Sequence, residues 1–190
     1  MAIVDQSQNL SQLVAEGEAL TREAIEAFGA LSVGQLNWKS GPDRWSVGQC
    51  FDHLIITNGP YISLIESIKQ GDRKSSVLEA LPVLPSVWGK LLKGFVDPTN
   101  TSKLKAPPAF QTDGSTVDPN IIQLFGDQQS VLLPLMKETK GTDLDRIVTS
   151  PAAAFVTYSL MDAYTVVITH ERRHFNQAKR VTEMVMFPKG

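Results

Sequence analysis

The feature that most constrains the fold is a helical repeat of apolar residues through four long segments of the chain. In each segment apolar residues recur every three or four positions, with charged or polar residues between them. This pattern is typical of a helix with one buried face. Proline and glycine residues mark the loops between the segments. The sequence therefore predicts an all-α fold, a four-helix bundle in which the apolar faces meet.

Capping signals set the predicted limits of the first two helices. The first is expected over residues 7–28, since Gly29 follows it as a stop. The second has a more complete signal at its start, where Ser46 can cap the helix and Gln49 can close a capping box. It is expected to continue to Gly71, with a kink or loosening near its central proline.

The last two helices are also delimited by short-range signals. The third is expected to begin with Asp118 as its cap and Pro119 at the first helical position, where a missing N–H costs nothing. It should kink at its internal proline and end at Gly141. The fourth is expected to begin near Ser159 and to continue to about Met186.

A long irregular connection is predicted between the second and third helices. Six of the eleven prolines lie in residues 71–119, so most of this stretch should be loop. Residues 86–96 carry a short apolar stripe behind a serine cap and are expected to form a short helix. Elsewhere, residues 147–149 can form a short extended piece.

Charge and polarity exclude several classes of protein. The chain has 18 lysine and arginine residues against 20 aspartate and glutamate residues, a net charge of −2. It therefore lacks the cationic excess of a general nucleic-acid binder. The longest weakly polar stretch, 152–168, is too short and too polar to span a bilayer. We expect neither a nucleic-acid partner nor a membrane partner.

Length and cysteine content predict a single domain over residues 1–190 and a cytoplasmic location. A chain of this size can bury a core without disulfides. Its single cysteine, Cys50, cannot form an intrachain disulfide, and the first residues lack the basic and apolar regions of a signal peptide. These observations together favour a reducing compartment.

Two of the three histidines are placed as a pair. His170 and His174 stand one turn apart in the fourth predicted helix and share its core-facing side. Each unpaired polar group buried among apolar side chains costs about 1–3 kcal/mol. A shared metal ion would satisfy both imidazoles, and the alternative is a pair of surface or hydrogen-bonded core histidines.

The string HERRH at residues 170–174 also fits the HExxH pattern of zinc peptidases, in which the glutamate activates water. The rest of the chain disfavours a peptidase. No histidine follows His174, and Asn176, Gln177 and Arg180 stand where the metzincin extension needs glycine and histidine. Glu171 is about 100° from the preceding histidine around the helix axis, so its role stays open.

The remaining histidine, His53, lies in the first turns of the second predicted helix. It shares a face with Cys50 and Tyr61. A third ligand for an ion held by the pair must come from another part of the chain, and His53 is the one histidine left. A site built from all three would leave no histidine of the chain unexplained.

Several of these residues together resemble a known family. They are Trp38, residues 45–54 (WSVGQCFDHL), residues 170–174 (HERRH) and Gln177. The pattern is similar to that of the DinB-like (DinB/YfiT-like) family of four-helix-bundle metal-dependent enzymes. The resemblance runs from the first helix to about Val181 and is weakest between residues 71 and 119.

The resemblance implies a divalent metal ion held by one histidine of the second helix and two of the last, commonly in a homodimer. His53, His170 and His174 match those ligand positions. Family members with assigned chemistry are thiol-dependent transferases and isomerases, others are classed as hydrolases, and many have no known substrate. The resemblance therefore implies a small-molecule substrate, with a low-molecular-weight thiol such as bacillithiol, mycothiol or glutathione as one candidate.

Three neutral imidazoles leave open positions on zinc, nickel or iron(II), as in catalytic rather than closed structural sites. Together with the chemistry that the resemblance implies, this predicts a metal-dependent hydrolase or thiol S-transferase, with no further catalytic residue assigned. The alternatives are a metal-binding stress-related or scaffold protein whose ion only cross-links helices, and a domain that binds small molecules without turnover.

A few polar residues near the histidines are candidates for supporting roles. Cys50 could be a fourth ligand or a redox-sensitive thiol, although its pairing with Trp45 in a hydrophobic staple favours a packing role. Gln49, Asp52 and Gln177 are candidate partners of the imidazoles. Capping or solvated roles are the alternative for Gln49 and Asp52.

Aromatic and basic residues elsewhere carry weaker signals. Tyr61, Tyr158 and Tyr164 could shape a pocket, but scattered aromatic residues usually pack in a core. Arg172 and Arg173 could bind an acidic substrate, but charged residues on a helix usually form a solvated face. None of the five is included in the predicted site.

Overall fold

The computed structural model describes residues 2–71, 79, 110, 112, 116–139 and 141–189. Within them the order of elements is α1 (Ala2–Phe28), α2 (Val33–Asn37), α3 (Val47–Gln70), α4 (Ile121–Glu138), β1 (Ile147–Ser150), β2 (Ala153–Ser159) and α5 (Leu160–Thr182). Helices α1 and α3 each pack against both α4 and α5. The predicted all-α four-helix bundle is confirmed.

The described part of the core contains two clusters of buried apolar side chains. One of them joins all four long helices through a phenylalanine from each, namely Phe28, Phe51, Phe125 and Phe175. The ring centroid of Phe28 lies 5.5 Å from those of Phe51 and Phe175, and that of Phe51 lies 5.2 Å from that of Phe125. Offset or edge contacts at such distances are favourable for aromatic rings. This cluster packs the four helices together next to the histidines.

The predicted start of the second long helix is confirmed. Ser46 is the N-cap of α3, its hydroxyl accepts a hydrogen bond from the backbone N–H of Gln49, and the Gln49 side chain accepts one from the N–H of Ser46. Both residues are buried. Gly71 ends the helix in the left-handed conformation, with φ of 75°, which glycine adopts without steric cost. The cap thus fixes where α3 begins and, two turns later, where His53 lies.

Ser46→Ala is expected to lower the free energy of unfolding by about 1–2 kcal/mol, because it leaves a buried backbone N–H without an acceptor. The chain offers a matched control, since Ser32 and Gln35 form the same capping box at the exposed start of α2. Ser32→Ala should cost only about 0.5 kcal/mol. Urea unfolding measures both values, and equal losses in the two variants would contradict the buried role of Ser46.

Two helices begin at different residues from those predicted. Helix α1 begins at Ala2, five residues before the predicted start. Helix α4 begins at Ile121, with Asn120 as its N-cap, two residues after the predicted start. The delay has a local cause. The Asp118 side chain accepts a hydrogen bond from the N–H of Asn120, and its carbonyl accepts one from Ile121, so Asp118 makes a turn rather than a helix cap.

Helix α5 starts as predicted, with Ser159 as N-cap accepting from the N–H of Asp162, but it ends at Thr182 instead of near Met186. A tertiary contact explains the early end. The chain turns after the helix and brings the Phe187 ring to 5.6 Å from the ring of Trp38. The helix therefore ends before its apolar pattern does, because the chain turns to pack Phe187 against Trp38.

The strand pair is only partly predicted. Strand β1 (Ile147–Ser150) confirms the expected extended piece, but its antiparallel partner β2 (Ala153–Ser159) is not predicted, because its pairing with β1 is not visible in its own residues. Helix α2 is also absent from the predictions. The predicted helix over 86–96 and most of the predicted irregular connection lie outside the described residues.

The internal prolines of the second and third predicted helices, Pro60 and Pro134, both lie inside helices, in α3 and α4. Among the described helices, none combines the length and the apolar character that crossing a membrane requires.

Candidate metal centre

The structure brings together the three histidines of the chain. His53 comes from α3, and His170 and His174 come from successive turns of α5. The Nε2 atom of His170 lies 3.3 Å from that of His53 and 3.1 Å from that of His174. One nitrogen from each ring lies within 4.8 Å of the others, and this is the group of described side chains able to hold a metal ion.

These separations fit a shared ion. Imidazole nitrogens bind zinc at 2.0–2.1 Å, so two ligands of a tetrahedral ion are about 3.3–3.4 Å apart. Each nitrogen of a neutral imidazole offers either one N–H or one lone pair, so the Nε2 atom of His170 cannot form good hydrogen bonds to both of its nitrogen neighbours at once. An ion that accepts all three lone pairs resolves the conflict. The residues present therefore fit a divalent metal ion.

A backbone carbonyl orients the first of the three rings. The Nδ1–H of His53 donates a hydrogen bond of 2.7 Å to the carbonyl oxygen of Phe110, which is buried. Because a carbonyl can only accept, this contact puts the proton on Nδ1 and leaves the Nε2 lone pair directed at the cluster. A hydrogen bond to the other nitrogen is the usual way in which proteins orient a metal-binding histidine. Residues 53 and 110 are too far apart in sequence for any local pattern to predict this contact.

The environment keeps all three imidazoles neutral. Burial is the largest cause in each case: it lowers the pKa of His53 against the opposing effect of the Phe110 carbonyl. Burial lowers the pKa of His170 to about 3, with smaller contributions from the neighbouring His53 and Arg173. The pKa of His174 is also well below its usual range, because of burial and then of repulsion that its protonated ring would meet from neighbouring groups when these are charged. Neutral imidazoles are the form that binds a metal ion.

Access to the cluster is uneven. His53 and His174 are 4% and 7% exposed, whereas His170 is only partly buried. Trp45 lies against the two buried rings, with its ring centroid 4.9 Å from that of His53 and 5.4 Å from that of His174. The sequence predicts only a hydrophobic staple for Trp45, so its contact with the histidines depends on the tertiary structure.

Glu171 is not part of the histidine group. Its side chain is fully buried, and Oε1 accepts hydrogen bonds of 2.8 Å from the amides of Asn58 in α3 and Gln129 in α4. Oε2 makes no hydrogen bond to a described residue. Burial raises the pKa of Glu171 to about 7, against the opposing effect of the two amides. The carboxyl therefore joins three helices of the bundle, which agrees with the rejection of the peptidase pattern.

The other candidate partners have varied roles. Cys50 is fully buried in the apolar core, burial raises the pKa of its thiol, and it lies outside the histidine group. Gln49 is used by the capping box. Gln177 raises the pKa of His174, yet the Nδ1 of that ring makes no hydrogen bond of good geometry with a described residue. Asp52 is only partly buried and is likewise outside the histidine group.

The tyrosines pack in the core, as expected. The hydroxyls of Tyr61 and Tyr158 are 3.0 Å apart, and the hydroxyl of Tyr164 is 2.9 Å from that of Thr139. All three tyrosines are buried in one apolar cluster and are outside the histidine group. The prediction that they pack in the core is the one that the structure supports.

Arg172 differs from the solvated residue that the sequence suggested. Its guanidinium donates to Glu16 and to both carboxylate oxygens of Glu23, and its side chain is 21% exposed. These contacts join α5 to α1 on the side of α5 away from the histidines. Arg172 therefore has a structural partner, and we do not assign it to substrate binding.

Comparison with known proteins gives a family and no individual relative. Neither a curated protein nor a solved structure matches the chain significantly. The family model described as the DinB superfamily matches residues 16–178. This range covers most of the sequence and includes all three histidines. The chain therefore belongs to the DinB superfamily.

Proposed function

We propose that this protein binds a divalent metal ion through His53, His170 and His174 and uses it to act on a small molecule, as a hydrolase or a thiol S-transferase. The observation that carries the proposal is the convergence of three neutral imidazoles. The Nε2 atoms of His53 and His174 lie 3.3 Å and 3.1 Å from that of His170. Membership of the DinB superfamily is compatible with metal binding at this cluster.

The ligand number supports catalysis over a purely structural ion. Structural zinc sites usually have four protein ligands, whereas catalytic sites keep a position for water or substrate. Within the described part of the chain, three side chains form the group. Cys50 is held in the apolar core, and Glu171 is hydrogen-bonded to Asn58 and Gln129. This arrangement favours an open site over the scaffold alternative.

The chain's own residues would prepare the site in distinct ways. The Phe110 carbonyl holds the His53 tautomer, burial keeps the imidazoles neutral, and Trp45 shields two of the rings from water. Partial exposure of His170 leaves a route for a small ligand. Zinc, nickel or iron(II) held there would act as a Lewis acid that polarises a carbonyl or lowers the pKa of a bound water or thiol.

We extend the proposal to partners and location. A small-molecule substrate, with a low-molecular-weight thiol as co-substrate in the transferase case, fits the near-neutral charge of the chain. A homodimer is supported by apolar side chains left exposed on α1 and α4, such as Ile25, Leu124 and Val131. Light scattering on the purified protein tests the dimer. Fractionation of cells tests the cytoplasmic location.

Removing and restoring the metal tests the enzymatic proposal. Protein stripped by a chelator and reloaded separately with Zn²⁺, Ni²⁺ or Fe²⁺ is assayed in two ways. One assay follows the loss of free thiol from bacillithiol, mycothiol or glutathione in the presence of an electrophile, and the other follows hydrolysis of activated esters and amides. We expect turnover from at least one reloaded form and a loss of about 100-fold or more on stripping, because the ion supplies the Lewis acid.

The control for this assay is the double variant His170→Ala/His174→Ala, which lacks two of the proposed ligands and whose fold is checked by circular dichroism. It should remain at the background rate whichever ion is added. Stoichiometric metal binding without turnover in either assay would favour the scaffold alternative. Equal rates in stripped and reloaded protein would contradict metal dependence.

A further inference from the structure

Trp45 contacts two imidazoles that come from different helices. Its ring is nearly parallel to that of His174, with an interplanar angle of 18° and centroids 5.4 Å apart. It meets the ring of His53 edge-on, at 65° and 4.9 Å. One indole therefore touches the α3 ring and one of the two α5 rings at once.

The second nitrogen of His174 lacks the contact that orients His53. His53 donates from Nδ1 to the Phe110 carbonyl, whereas the buried Nδ1 of His174 makes no hydrogen bond of good geometry with a described residue, although the Gln177 side chain is near enough to raise the pKa of that ring. Metal-binding histidines are normally held by such a bond. At His174 the nearly parallel indole lies beside one face of the ring in an offset arrangement, and a packed aromatic ring restricts rotation of its neighbour.

The position of Trp45 is itself well fixed. It directly precedes Ser46, the buried N-cap of α3, whose backbone and side chain are both used in the capping box. Trp45 is also packed against the apolar cluster that contains the four phenylalanines. The indole is therefore held by the start of one metal-bearing helix while it packs on a ring of the other.

We propose that Trp45 is a positioning residue, which holds the rings of His53 and His174 in the orientation that a metal ion requires. This inference rests on the metal binding proposed above, but it does not need turnover. It adds an aromatic support at His174, the ring whose Nδ1 makes no hydrogen bond of good geometry with a described residue. Trp45 is not a ligand and does not contact the reacting atoms in this proposal.

Trp38 provides a matched control. It is also a partly buried tryptophan packed against the same apolar cluster, but its described ring contact is with Phe187. Four variants separate positioning from general packing, namely Trp45→Leu, Trp45→Phe, Trp38→Leu and Trp38→Phe. Metal affinity is measured by competition with a chelator, and thermal unfolding of the metal-free protein is measured in parallel.

Trp45→Leu is expected to weaken metal affinity by about 10–100-fold, the usual effect of losing a residue that orients a ligand. Trp45→Phe should restore affinity to within about threefold of the original protein, because it keeps an aromatic face against His174. Trp38→Leu should lower the unfolding temperature while leaving affinity within the same threefold range. Unchanged affinity in Trp45→Leu, or an equal loss in Trp38→Leu, would overturn the proposal.

A measurement without metal separates this proposal from the proposed function. In the metal-free protein, the indole should shift the NMR signals of the His53 and His174 rings, and Trp45→Leu should remove those shifts while changing His170 little. Signals unaffected by the substitution would contradict the contact itself. If the contact is present but the original protein binds no metal, the metal-dependent function fails and Trp45 has no positioning role at a metal.

Discussion

Replacing His170 and His174 together by alanine is expected to reduce the metal content of the purified protein from about one ion per chain to near zero. The two rings supply two of the three converging nitrogens, and the remaining one, on His53, would bind an ion as a single ligand. Affinity measured by chelator competition should fall by more than about 100-fold, beyond the loss of a residue that only orients a ligand. Elemental analysis of both proteins, purified in parallel, gives the result directly.

A control on the same helix is Lys179→Ala, which changes an exposed residue of α5. It should keep the full metal content and the full helix content of the original protein. Circular dichroism of the double variant shows whether the bundle has folded, so that loss of metal is not confused with loss of structure. Equal metal content in the double variant and the original protein would rule out the histidine site.

The second large effect is expected at the buried carboxyl of Glu171. Glu171→Ala should lower the free energy of unfolding by about 3–5 kcal/mol, since it leaves two buried amides without an acceptor and opens a cavity. Those amides belong to Asn58 and Gln129, so the loss would loosen α3 and α4 against α5. Urea unfolding of the metal-free protein measures the change. A loss below about 1 kcal/mol would contradict the importance of this tie.

Glu171 also predicts a pH dependence, with a definite sign. Its pKa is about 7 in the folded protein and near 4.5 in a solvated chain. Between these values the folded state keeps the proton that the unfolded state releases, so the free energy of unfolding decreases as the pH rises. The contribution is full below about pH 4.5 and is lost by about pH 7 and above, a change of about 3 kcal/mol.

Glu171→Gln isolates this contribution. A glutamine keeps an acceptor oxygen for both amides and stays neutral at every pH, so the variant should lack the decrease. The three histidines have the opposite sign, because their lowered pKa values cost stability as the pH falls below about 6.5. They are common to both proteins, and the difference between the two stability curves therefore reports on Glu171 alone. Parallel curves from pH 5 to 8 would contradict the raised pKa.

Local signals predicted the helices well where neighbouring residues alone define an element. The capping box of Ser46 and Gln49 and the cap at Ser159 are both found as predicted. Ends that depend on distant contacts were predicted less well. Helix α5 stops early because Phe187 packs on Trp38, and strand β2 was missed because its pairing with β1 is not visible in its own residues.

The candidate site divides in the same way. Helical spacing put His170 and His174 on one face, and the scarcity of histidine made His53 the natural third member. No spacing rule could identify the Phe110 carbonyl or the Trp45 ring as contacts of the histidines, or the Asn58 amide as a contact of Glu171. Each of these contacts spans a large sequence separation or uses a backbone atom that every residue has.

The sequence by itself determined the helical class and the identity of the three histidines, because periodicity, caps and residue chemistry act over a few neighbouring positions. The tertiary structure alone decided that the Nε2 atoms of His53 and His174 lie 3.3 Å and 3.1 Å from that of His170. It also decided that the three imidazoles are neutral and that Glu171 is buried in the core. Those properties depend on how α3, α4 and α5 pack. Packing removes water from side chains that are distant in sequence, and that loss of water sets both their pKa values and their orientation.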